Sequence, residues 1–144
     1  MTYSCCMEMD DFQQPLVGQD LPHADQVVLL WVTVPHIESA RALSDAVLHA
    51  RLAGCVNIFP ALESAYWWQG EIERSNELGL FVKTTSACAA ACQNLIVERH
   101  PYDIPCVLRL PVMGGHQAFM AWLAGQTALP QEAALDQYPD AKSC

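Results

Sequence analysis

The chain has 144 residues, seven cysteines and a formal net charge of −9, and 52% of its residues are apolar. That length suits one domain of about 100–150 residues with tails, and the apolar content lies well above the range of disordered chains. The 7 Lys and Arg residues form no stripe, which excludes a phosphate-collecting nucleic-acid surface and an anionic membrane as partners, and no run of about 18 apolar residues offers a membrane span.

The charge sits at the ends. Residues 1–25 hold Glu8, Asp10, Asp11, Asp20 and Asp25 without a Lys or Arg, and no apolar period is sustained through them. They are expected to form a mobile acidic tail without a targeting leader, in which the Cys5-Cys6 pair has no assigned role. Residues 126–144, with Glu132, Asp136 and Asp140 against Lys142, are expected to form a second acidic tail. The cysteines show neither disulfide-scaffold spacing nor a C-x-x-C pair, so a reducing cytoplasm is the expected compartment.

The folded domain is expected over 26–125. Val27 to Val34 is a β-branched run that predicts a strand buried on both faces, ended by Pro35. From His36 to Arg51 the period changes: Ala40, Leu43, Val47, Leu48 and Ala50 fall on one helical face, with Gly54 as the stop. Cys55 to Phe59 predicts a second strand, Pro60 a bend or bulge, and Ala65 to Trp68 the strand's resumption. Gln69-Gly70 predicts a tight turn, and Ile72 to Thr85 a long return strand with Leu78, Leu80 and Val82 on one face. Ser86 is the expected N-cap of a helix ending near Arg99. His100 to Pro105 is a stiff two-proline connection. A strand over 107–112, a turn at Gly114-Gly115 and a short helix over 117–124 complete the order.

That order predicts an α+β fold, a ferredoxin-like βαββαβ sandwich with helices on one face and a short C-terminal helix. The hairpin is the anomaly. Strands of about 14 residues reach roughly 45 Å, longer than a small four-stranded sheet needs. Tyr66, Trp67 and Trp68 near its tip would be exposed beside open edges, which predicts cover by further subunits.

Several stretches resemble the CutA family: Leu52-Ala53-Gly54-Cys55-Val56-Asn57-Ile58, Tyr66-Trp67-Trp68-Gln69-Gly70-Glu71-Ile72, Phe81-Val82-Lys83-Thr84, His100-Pro101-Tyr102-Asp103-Ile104-Pro105, Leu110-Pro111-Val112 and Trp122-Leu123. The resemblance implies a ferredoxin-like subunit, a homotrimer built through extended hairpins, and metal tolerance with copper, or another divalent cation, as ligand. Family members assigned a copper site carry a cysteine late in the first strand and a His-His pair before Pro-Tyr. Here those positions are Val32 and Arg99-His100, and Cys106 stands where many members have Glu.

His100 is the first candidate metal ligand, with the alternative that it caps the preceding helix. Cys55 and Cys106 are further candidates, Cys55 being equally readable as core. Cys88 and Cys92 share a helical face and are expected to pack. Trp68, Glu77, Lys83, Tyr102 and Asp103 are expected around an intersubunit pocket for a small ligand, while Tyr66 and Trp67 read as interface. No phosphate loop, G-x-S-x-G or H-E-x-x-H is present, and an enzyme is not expected. The alternatives to metal binding are a PII-like regulatory module taking a small metabolite or anion and signalling to a partner protein, and a structural oligomer.

Overall fold

The computed structural model describes residues 23–128. Nearly all of both expected acidic tails lies outside the described residues. After a single 3-10 turn at His23–Asp25 come β1 (Val27–Val34), α1 (Ile37–His49), β2 (Cys55–Trp68), β3 (Glu71–Thr85), α2 (Ser86–Arg99), β4 (Val107–Pro111) and α3 (Gln117–Gln126). The four strands form one sheet in the order β2-β3-β1-β4, with every neighbouring pair antiparallel. This is the expected ferredoxin-like α+β arrangement.

One sheet face is closed by α1 and α2. Leu30, Val32 and Val34 of β1 and Leu80 and Val82 of β3 pack there against Ala40, Leu43, Val47, Cys88, Cys92 and Ile96. The expectation that β1 is buried on both faces is corrected. Its other face carries Trp31, which packs edge-on against Phe81 at 5.1 Å and tilts against Phe59 at 6.1 Å. Leu108 and Leu110 of β4 extend that second face and remain exposed. Among the described residues only α3 reaches this side, at its Lys83 end, where Phe119 lies over the Lys83 ammonium.

Two helix ends also differ from expectation. Gly54 does not terminate α1. Arg51 takes the left-handed conformation at φ 59, and the Leu52 N–H reaches back to the Val47 carbonyl at 3.0 Å, closing the helix by a Schellman-type turn. Leu48 and Ala50 consequently face outward. Gly54 is needed for space instead, because a Cβ there would lie 2.7 Å from Leu123 Cδ1. At α2 the N-cap is Thr85, without a side-chain cap bond, while the Ser86 N–H donates to the Gln26 carbonyl at 2.8 Å. The strand end and the residues before β1 thus do the work assigned to Ser86.

The hairpin follows its sequence closely. Pairing of β2 with β3 slips between Phe59 and Leu62, on either side of Pro60, which cannot donate to the ladder. At the tip Trp68 faces Glu71, and both intervening residues have positive φ, Gln69 at 50 and Gly70 at 85, the pattern of a type I′ turn. At its base, Gly79 leaves room for the Trp31 indole, whose atoms a Cβ would meet at 2.4 Å. α3 extends to Gln126, and the Ala128 N–H donates to the Arg51 carbonyl at 2.9 Å. The folded unit therefore runs through 128, past the boundary expected at 125. Among the described residues no helix is long and apolar enough to cross a membrane.

Candidate functional site

The C-terminal end of β1, the base of the hairpin and the two-proline loop bring five polar side chains together. His100 is the C-cap residue of α2, and its ring nitrogens bond to groups outside the helix. Its Nε2 lies 2.8 Å from the Thr33 carbonyl, and its Nδ1 accepts the Tyr102 N–H at 3.0 Å. Those partners require the neutral ring with the proton on Nε2. The imidazole is thus a buried pin between β1 and the loop, with both nitrogens engaged; to bind a metal it must exchange one of these bonds.

Tyr102, fixed by that pin, donates its hydroxyl to Glu77 Oε1 at 3.2 Å. Glu77 is 7% exposed, and burial followed by this carboxylate pushes the Tyr102 hydroxyl up from its ordinary value. Cys106 belongs to the same cluster. Burial first, then Glu77, raises its thiol, while a bond with the Thr33 side chain acts in the opposite sense. The result is a protonated thiol beside a carboxylate. A thiol–imidazole pair of Cys106 with His100 is not formed, since the ring is committed elsewhere. Asp103 is exposed on the same loop.

The remaining candidates lie apart from this cluster. Lys83 donates to Asn57 Oδ1 and to Cys55 Sγ, the latter at 3.5 Å, and its ammonium lies 5.7 Å from the centre of the Phe119 ring. Lys83 pairs with Leu29, four residues before Thr33 on β1, so Cys55 and Lys83 sit about 13 Å along the strands from the His100 end. Trp68 is at the hairpin tip, thirteen residues from Cys55 or roughly 43 Å at strand rise. One chain unites Glu77, Tyr102, His100 and Cys106; it does not unite them with Cys55, Lys83 or Trp68. Among the described residues no three His, Cys, Asp or Glu side chains converge where a metal ion could be held.

Cys88 and Cys92 are core. Both are buried, and burial, with Cys88 second, pushes the Cys92 thiol up to about 12, far from a metal-binding thiolate. Two clefts were not anticipated from the sequence. One of about 370 Å³ lies between the end of α1 and α3, around Arg51 and Trp122. The other, about 430 Å³, lies between the start of α1 and the end of α2, around His36, Glu38 and Arg99. Neither involves a predicted site residue. The available signal was His36, which the sequence reading placed at the start of the helical period and the structure places just before it, as the N-cap.

With this geometry in hand, comparison with known proteins is decisive for the family. The model of the CutA1 divalent ion tolerance protein family matches residues 28–126. The chain belongs to the CutA1 family. A divalent-cation tolerance protein CutA from Thermus thermophilus is 41% identical over 103 residues, covering 72% of this chain and 98% of the relative. A chloroplastic CutA 1 from Oryza sativa is 36% identical over 100 residues, but the match spans only 56% of that longer relative. The crystal structure of CutA1 from Oryza sativa superimposes with a TM-score of 0.71 at 33% identity, over 76% of this chain and all of the other. The CutA1 match covers β1 through α3, so the cluster around Glu77 and the whole hairpin lie inside it.

Proposed function

We propose that this CutA1 chain acts as a homotrimer whose subunit clefts bind a divalent cation, copper by family resemblance, in metal tolerance. The observation that carries the reading is uncovered apolar surface. Trp67 is 72% exposed and Ile72, its cross-strand partner at the hairpin tip, 60%, while Leu108 on the open sheet face is 56% exposed. Such a surface on a long ribbon with a free edge calls for a protein partner, and further copies of the same chain supply one.

Within one chain the donors are incomplete. Cys106, Glu77 and His100 do not converge on one point as a three-donor set, so a site that draws on any of them takes its other donors from a neighbouring subunit, since closed sites take about four ligands. The chemistry is coordination without turnover. A reducing compartment, the cytoplasm, suits the free thiols Cys55 and Cys106.

Light scattering is expected to give three times the 15.9 kDa of one chain. Calorimetric titration with Cu(II), Cu(I) and Zn(II) is expected to show saturable binding, weakened roughly 10- to 100-fold in Cys106→Ser and in His100→Ala. Heats no greater than dilution for all three ions would remove the metal reading, whatever the assembly.

One observation favours a second reading, a PII-like module for a small anion or metabolite. Lys83 has no carboxylate partner among the described residues and is flanked by the Asn57 amide and the Phe119 ring. A dose-dependent rise in melting temperature with a small acid or nucleotide, lost in Lys83→Met, distinguishes it from metal binding.

A further inference from the structure

The cap of α1 places two incompatible demands on one atom. α1 opens at His36, whose backbone is extended and whose Nδ1 accepts the Ser39 N–H at 3.2 Å. This is the N-cap bond, made more commonly by an oxygen of Ser, Thr, Asp or Asn. Glu38 Oε2 lies 3.3 Å from the same Nδ1. A nitrogen that accepts from Ser39 presents a lone pair and repels a carboxylate. A protonated nitrogen attracts the carboxylate but can no longer accept the N–H. The Ser39 hydroxyl, 3.1 Å from Nδ1, suits either state, since it can donate to the lone pair or accept from the proton.

We propose that His36 is a proton-operated cap: neutral, it holds the first turn of α1; protonated, it turns to Glu38 and releases the Ser39 N–H. Its side chain is 58% exposed, so protons exchange with it freely. Histidine is the residue type whose charge ordinarily changes between about pH 5 and 8. The charged groups that face it are Glu38 from α1 itself and Arg99 from the end of α2, across the cleft of about 430 Å³ floored by Ala42 and Leu43. With the proton on, the cleft rim gains one positive charge, His36 and Glu38 neutralise each other, and the entry turn of α1 loosens. Charge and order of this rim change together over the same pH interval.

The test is a pH series from about 5 to 8 on the full chain. The His36 ring is followed by NMR, and Ser39 amide exchange is corrected for its intrinsic pH dependence. In the wild type, Ser39 protection is expected to fall roughly fivefold as His36 titrates, the factor that a cap of about 1 kcal/mol implies. In His36→Asn, which keeps an oxygen cap without a titrating group, protection is expected to stay flat. Constant Ser39 protection through the His36 titration would overturn the proposal. So would an equal fall in His36→Asn.

Discussion

At the scale of single residues, position decides chemistry more than residue type does. The four described cysteines are all free, yet they divide by depth: Cys88 and Cys92 are buried, Cys55 and Cys106 half-buried. Among these four, alkylation in native buffer is therefore expected to label Cys55 and Cys106 before Cys88 and Cys92, which react only on unfolding; mass spectrometry of timed samples reads the order. The Cys92 thiol, raised from 9.0 to about 12, adds a pH prediction. The unfolded chain ionises this group first, so its contribution is fully present below about pH 9. It is lost as pH rises toward 12, at up to about 1.4 kcal/mol per unit. Urea midpoints across that window should fall faster for the wild type than for Cys92→Ala. Gly79 is a second residue whose place is dictated by a neighbour. Ala there would meet the Trp31 ring, and Gly79→Ala is expected to cost roughly 1–3 kcal/mol in urea denaturation.

Each element's sequence accounts for most of its own shape, and the exceptions lie at its ends. The β2–β3 ribbon was legible throughout: Pro60 at the slip, Gln69-Gly70 at the turn, alternation through Leu80 and Val82. Gly70 at φ 85 has a conformation that an L side chain opposes, so Gly70→Ala should destabilise the hairpin by about 1 kcal/mol. Arg51 at φ 59 is the converse case, and Arg51→Gly is expected to be neutral or stabilising by up to about 1 kcal/mol in the same assay. A result of the opposite sign would show that the weak Arg51–Gln126 contact at 3.5 Å outweighs backbone strain. The caps were less legible. His36 and Arg51 occupy cap positions where composition favours other residues, and Thr85, an ordinary N-cap residue, makes no side-chain cap bond while the Ser86 N–H goes to the Gln26 carbonyl.

For the whole molecule, the fold leaves the Leu108 side of one sheet face and the ribbon tip without cover, and assembly is expected to follow from that surface. Leu108→Glu places a charge on the open face away from the helices. It is expected to lower the mass seen by light scattering while leaving the circular dichroism of the chain intact. An unchanged mass would place the contacts elsewhere. The same geometry bears on the candidate site. Glu77, Tyr102, His100 and Cys106 meet within one subunit, whereas Lys83 and Trp68 lie at opposite ends of the ribbon and could share a pocket only across subunits.

The strand and helix order, the hairpin and its turn, and membership of the CutA1 family were all readable in the linear chain. Alternation, helical period and short family stretches are local patterns, and local patterns survive without coordinates. The spatial grouping of the site and the tautomer of His100 were decided only by the tertiary structure. His100 is a neutral pin because the Thr33 carbonyl, 67 residues away, and the Tyr102 N–H arrive on opposite sides of its ring. No spacing along the chain encodes which distant backbone groups will claim a side chain's two nitrogens; packing of β1 against the loop does.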